Sequence, residues 1–171
     1  MPRLVVVVLL VVAVAWLGFR TVRAFDQDRH AAQAAAVLAA PDLVTHQLPP
    51  VPAAPSTPDL QAGGELAYRP ATWLTVVQLR ALEPVTGHER YLVFLRNWAG
   101  WTLAGAARPG TDGTAQVRSG AEPRPPTIYE VVVTRAVDDA TSVPHGQPVL
   151  HWFDASVAPP RARQFDFARG A

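Results

Sequence analysis

The chain has 171 residues, a formal net charge of +1 and 49% hydrophobic residues. The near-neutral charge excludes the broad positive field of nucleic-acid-binding domains, so we expect no nucleic-acid partner. Cysteine is absent, which excludes a disulfide framework, a cysteine nucleophile, a thiolate metal site and a lipidated N-terminal cysteine. The length leaves room for one small domain beside a membrane segment.

An uncharged apolar run of sixteen residues, 4–19, follows a three-residue tail at 1–3. As a helix it spans roughly 24 Å, short of a hydrocarbon core of about 30 Å. Flanking arginines extend the span by snorkelling, and aromatic residues near its end suit the interface. We therefore predict a retained signal anchor, with a cleaved signal peptide as the alternative. Its anchor residues are Leu4, Val8, Val12, Trp16, Phe19, Arg20 and Arg23.

The orientation of this anchor depends on two opposing signals. One arginine, Arg3, precedes the run, whereas Arg20, Arg23 and Arg29 follow it, which favours a cytoplasmic C-terminal side. A short tail before an apolar run is, however, the usual form of an export signal. We predict a cytoplasmic N-terminus and an extracytoplasmic C-terminal domain, in the periplasm or at the cell exterior.

Two segments separate the membrane run from the domain. Residues 20–40 lack proline and glycine and are rich in alanine, so the transmembrane helix is predicted to continue over 4–40, roughly 55 Å, and to end before Pro41. Residues 41–64 contain six prolines. This composition predicts a semi-extended, proline-rich linker.

Short strand-like segments fill residues 65–157. The predicted strands are 73–82, 90–98, 101–107, 114–117, 128–135 and 147–153. Both faces of 90–98 are apolar, which predicts a central strand. Pro109-Gly110 and Asp112-Gly113 predict a hairpin between 101–107 and 114–117. The fold class is thus mainly β, a small antiparallel sandwich or barrel preceded by one N-terminal transmembrane α-helix. The proline- and arginine-rich tail at 158–171 is predicted to be irregular.

His145, His151 and Asp154 offer two imidazoles and a carboxylate, the donor set of a facial metal site. On a strand that starts at Gln147, however, His151 and Asp154 point to opposite faces, so metal binding requires a bulge or bend. We therefore predict no metal, no cofactor and no enzymatic activity, and keep this trio for an alternative function, a metal-dependent enzyme. The domain's acidic residues, Glu130 among them, are assigned to turns and solvation.

Trp98, Trp101 and Trp152 are the aromatic candidates for a ligand platform. Small domains without disulfides need large aromatic side chains in their core, so core packing is the competing role. Exposure of at least one of these rings would favour a glycan- or peptide-binding module.

The layout of one span, a linker and a small β-domain resembles minor bitopic subunits of secretion, pilus and envelope assemblies. We predict an accessory or structural subunit of a membrane or cell-envelope complex. Its N-terminal helix lies in the lipid bilayer, and its β-domain mediates protein–protein interaction. The ligand-binding module and the metal-dependent enzyme remain the alternatives.

Overall fold

The computed structural model describes residues 31–51, 62–70, 74–119, 127–137 and 141–166. The predicted transmembrane run at 4–19 and its seven anchor residues lie outside these ranges. Within them, no helix is long and apolar enough to cross a membrane. The chain divides into two units, Met1–Ala36 and Val37–Ala171. Residues 31–38 are helical, and this helix ends before Pro41.

The second unit is built from antiparallel strands. Its described residues form two four-stranded sheets, with the orders β1-β2-β3-β6 and β5-β4-β7-β8. The strands are β1 (Val44–Leu48), β2 (Gly63–Tyr68), β3 (Thr75–Arg80), β4 (Arg90–Asn97), β5 (Gly100–Ala107), β6 (Ala115–Ser119), β7 (Glu130–Ala136) and β8 (Gln147–Phe153). The prediction of a mainly β, antiparallel fold is confirmed.

The main core lies between the two sheets, because alternate residues of each strand point inward. Tyr91, Val93 and Leu95 of β4 face this core, as do Val131 and Val133 of β7. The first sheet contributes Leu48, Leu66, Tyr68, Val77, Leu79 and Val117. β4 lies between β5 and β7, the central position that its two apolar faces indicate.

The two sheets also meet along both edges. After β1, the chain runs beside β8, where the Val51 N–H donates to the Val149 carbonyl at 2.9 Å and Pro50 bridges Leu150. At the other seam β5 approaches β6 closely, since a Cβ at Gly105 would lie 3.0 Å from Val117 Cγ1. The fold is therefore a sandwich in which the edge strands of one sheet lie beside the edge strands of the other. This arrangement limits the open strand edges available for aggregation.

Three local expectations differ from the structure. Strand β2, Gly63–Tyr68, is not among the predicted strands and begins within the segment expected to be a linker. Residues 44–48 lie in the segment expected to be a linker, yet they pair with β2 as strand β1. The segments around the Pro109–Gly113 turn do not form a hairpin, because β5 pairs with β4 whereas β6 pairs with β3. The turn is present, but it carries the chain from one sheet to the other.

Candidate functional site

The outer face of the second sheet carries buried apolar side chains, unlike the solvated outer face common in antiparallel sheets. Leu92 and Phe94 of β4 point away from the main core and are nevertheless fully buried. Trp101 and Leu103 of β5 pack against them. The His145 ring, from the loop before β8, meets the Phe94 ring edge-on with centroids 5.8 Å apart.

Glu130, the first residue of β7, lies on this outer face and has an exposure of 0%. Among the described residues it is the one charged residue that is buried. Arg96 stands directly opposite it on β4, and its Nη1 donates to Glu130 Oε2 at 2.9 Å. The Arg96 guanidinium also lies over the Trp101 ring at 5.1 Å and the Tyr129 ring at 5.6 Å. Cation–π contacts of this kind fix its orientation.

Two further groups hold the second oxygen of the carboxylate. Nε2 of His151, on the neighbouring strand β8, lies 3.0 Å from Glu130 Oε1. The backbone N–H of Phe165 donates to the same oxygen at 2.6 Å. Glu130 thus has a guanidinium, an imidazole and a backbone amide around it, which offsets part of the cost of burying a charge.

The segment over Glu130 is residues 155–166, here called the C-terminal strap. Arg96 Nη1 donates to the Arg163 carbonyl at 2.9 Å, and the Gln164 amide lies 3.1 Å from His151 Nδ1. The Phe165 ring meets Trp101 edge-on, with centroids 5.6 Å apart. Near the start of the strap, Trp98 Nε1 donates to the Val157 carbonyl at 3.2 Å. The strap therefore contacts all four strands of the second sheet or the turns that join them.

This arrangement is suited to binding a chain segment. Both carboxylate oxygens of Glu130 accept hydrogen bonds from protein groups, and its side chain is 0% exposed. His151 is also almost enclosed, with 9% of its side chain exposed. The Glu130 carboxylate is held in one orientation and accepts a hydrogen bond from a backbone N–H. Buried polar groups whose hydrogen bonds are satisfied fix the geometry of the groups that bind them.

The three candidate metal ligands have separate partners. His151 faces Glu130, His145 contacts Thr141 Oγ1 at 2.7 Å, and Asp154 accepts from the N–H and Oγ of Ser156. The Ser156 hydrogen bonds hold the pKa of Asp154 below its usual value. No group of three His, Cys, Asp or Glu side chains able to hold a metal ion occurs in the described ranges.

The three tryptophans differ in exposure and contacts. Trp98, in the turn between β4 and β5, is 65% exposed. Trp101 is half-buried under Phe165, and Trp152 packs against the main core. One of the three rings is therefore exposed, and the other two pack against neighbouring side chains.

A second titratable cluster lies at the seam between β1 and β8. The His46 ring is 4.2 Å from the Trp152 ring and 6.0 Å from the Tyr68 ring, measured between centroids. Burial lowers the pKa of His46, although the charge of Asp154 opposes this shift. Burial also raises the pKa of Tyr68. This histidine favours its neutral form in the folded protein.

Sequence reasoning missed the site at Glu130, which it assigned with the other acidic residues to turns and solvation. That assignment is wrong for Glu130, because the outer face on which it lies is covered. The available signal was a glutamate within the apolar strand at 128–135. Comparison of the chain with protein-family models, curated proteins and solved structures gives no match.

Proposed function

We propose that the chain is a single-pass membrane protein whose extracytoplasmic β-domain binds a protein partner. In this proposal it is an accessory or structural subunit of a membrane or envelope complex. Its N-terminus lies in the cytoplasm, and the uncharged run at 4–19 anchors it in the bilayer. No metal, cofactor or catalytic step is part of the proposal.

The observation that carries the binding function is the role of the polar side chains around the buried carboxylate of Glu130. Glu130, Arg96 and His151 are engaged in holding a chain segment on a sheet face. Trp98 adds an exposed, rigid aromatic side chain next to the start of the strap. Tryptophan and arginine are enriched among the residues that dominate binding energy at protein interfaces.

Membrane attachment is tested separately from partner binding. A retained anchor keeps the protein in the membrane pellet after extraction with alkaline carbonate, whereas a cleaved product appears in the supernatant and is shorter than the full chain. Protease added to the outside of intact spheroplasts should degrade the β-domain. Degradation only after lysis would reverse the proposed orientation.

Partner binding is tested by cross-linking in native membranes, followed by affinity purification of the full-length protein. Trp98→Ala should lower recovery of the specific partner severalfold, because the exposed ring is the expected contact. Val143→Ala is the matched control, since Val143 is 53% exposed and lies in the loop at the other end of the second sheet. Recovery of this chain alone in repeated purifications would contradict the proposal.

The second candidate is a small extracytoplasmic module that binds a glycan or peptide. The 65% exposure of Trp98 favours it, because an exposed ring can stack on the apolar face of a sugar. Binding of a cell-envelope polysaccharide that quenches tryptophan fluorescence in the wild type, but not in Trp98→Ala, would select this candidate over a protein partner.

A further inference from the structure

The outer face of the second sheet has the composition of an interface rather than of a solvated surface. Phe94, Leu103 and Val132 form one cross-strand row on it, and Trp101, Arg96 and Glu130 form the next. The first row is apolar, and the second combines an aromatic ring with a bound ion pair. Interface cores are enriched in aromatic residues and arginine in this way.

The strap occupies this face mainly through its backbone. The face donates to the carbonyls of Val157 and Arg163 and accepts from the N–H of Phe165. Two strap side chains also contact the face, the Phe165 ring through Trp101 and the Gln164 amide through His151. Carbonyls and N–H groups are common to every peptide, so these contacts require little beyond one aromatic side chain.

The described strap residues are also only lightly anchored. They contain no helix or strand, and the side chains of Arg161, Arg163 and Gln164 are exposed. Segments with few buried apolar contacts open locally at much lower free energy than the core. By contrast, Glu130, which accepts the N–H of Phe165, is fully buried.

We propose that this face is a peptide-binding site and that the C-terminal strap occupies it in cis. The partner's contribution is an extended segment with an aromatic side chain in the place of Phe165 and a backbone N–H directed at Glu130. This assignment rests on the proposed function and names the chemistry of the partner. The strap competes with the partner. The partner's apparent affinity is therefore its affinity for the open face multiplied by the fraction of molecules in which the face is open.

The test uses the full-length protein in lipid nanodiscs, so that no detergent competes for the apolar face. The probe is a fluorescent peptide with the sequence of residues 155–171, and the control peptide carries Phe165→Ala. The receptor carries Phe165→Ala, which removes the ring but leaves the backbone of the strap. Arg161→Ala, at an exposed strap residue, is the matched control receptor.

The Phe165→Ala receptor should bind the wild-type peptide at least tenfold more tightly than the wild-type or Arg161→Ala receptors do. It should bind the control peptide at least tenfold more weakly than the wild-type peptide. Equal affinity for the two peptides would overturn the proposal. So would an absence of binding to a Phe165→Ala receptor whose circular dichroism matches that of the wild type.

Two further results separate this inference from the proposed function. Peptide binding without any co-purifying partner would support the peptide site while removing the support for a subunit role. Partner recovery that Leu103→Arg leaves unchanged would overturn this inference while leaving the subunit role intact. A dimer of the wild-type chain that depends on Phe165 would place a second copy's strap on the face and overturn the assignment of a different partner.

Discussion

The backbone N–H of Phe165 donates a 2.6 Å hydrogen bond to Glu130 Oε1, although the two residues are 35 positions apart. The bond joins an irregular segment to a fully buried carboxylate at the start of β7. The ring of the same residue packs edge-on against Trp101. One residue thus makes a polar contact through its backbone and an apolar contact through its ring, and a substitution of Phe165 removes only the second.

Phe165→Ala should release the strap without unfolding the sandwich. A half-buried phenylalanine contributes roughly 1–1.5 kcal/mol of burial, about a tenfold change in the population of the open strap. When the strap opens and closes faster than trypsin cleaves, the cleavage rate follows the population of the open strap. Trypsin should therefore cleave after Arg161 and Arg163 about tenfold faster in the variant. Cleavage after Arg169, followed by mass spectrometry in the same digest, is the reference. Equal rates in the variant and the wild type at Arg161 and Arg163 would contradict the anchoring role.

Arg96→Met should destabilise the domain by about 3–5 kcal/mol, because it leaves the buried carboxylate of Glu130 without its guanidinium. The free energy of unfolding is measured by urea denaturation at neutral pH. Arg80→Met is the matched control, since Arg80 is exposed and its side chain makes a long 3.4 Å contact with Gln47. The control should change stability by less than about 0.5 kcal/mol. Similar losses in both variants would show that Glu130 does not depend on Arg96.

The two central strands of the second sheet, β4 and β7, could be predicted from the sequence because the pattern of apolar residues that marks them is local. β4 has apolar residues on both faces, and it lies in the middle of its sheet with a core on each side. The alternation of side chains between two faces over residues 128–135 likewise predicts β7. Packing on two sides leaves a pattern within a few consecutive residues, so one sequence is enough to recognise it.

β1 and the pairing of β6 were missed for different physical reasons. β1 alternates in burial, with Leu48 in the core, but prolines at 41, 49 and 50 dominated the interpretation of that segment. The turn at 109–113 was recognised, but turn residues do not specify which strand pairs with the next one. β6 pairs with β3, whose residues lie more than thirty positions earlier, so only tertiary structure decides this.

The candidate site could not be predicted because its parts are distant in sequence. Glu130 interacts with Arg96, which lies 34 positions earlier, and with Phe165, which lies 35 positions later. A glutamate within an apolar strand indicates that a partner is needed. It does not indicate which of the fifteen arginines supplies that partner, or that the tail folds back on the sheet.

The stability of the domain should fall between pH 7 and pH 5.5 partly through His46. Burial lowers the folded-state pKa of His46 below its ordinary value of 6.5. The unfolded chain therefore binds the proton more strongly, and stability is lost as the pH falls from about 6.5 through the folded-state pKa. His46→Gln should show a smaller fall in urea midpoint than the wild type. A larger fall would contradict the sign of the shift.

A control for that experiment is His88→Gln, because His88 is exposed in the loop before β4, away from the seam between β1 and β8. Its urea midpoint should follow that of the wild type at both pH values. If His88→Gln reduced the fall as much as His46→Gln does, the seam between β1 and β8 would not be the source.

Gly146→Ala should destabilise the domain strongly, because two independent costs act at this position. Its φ of +83° lies in the left-handed region, and an added Cβ would lie 2.5 Å from the Arg135 carbonyl oxygen and 2.8 Å from the Ala136 Cβ. Gly87→Ala shares the positive φ, at +58°, but its Cβ would meet nothing within 4 Å. The left-handed conformation alone costs about 1 kcal/mol.

The backbone clash at Gly146 has to be relieved by moving β7 or the loop before β8, which adds further cost. Urea denaturation should therefore show a loss of about 1 kcal/mol for Gly87→Ala and at least about 2 kcal/mol more for Gly146→Ala. Equal losses would mean that this loop is not packed against the end of β7.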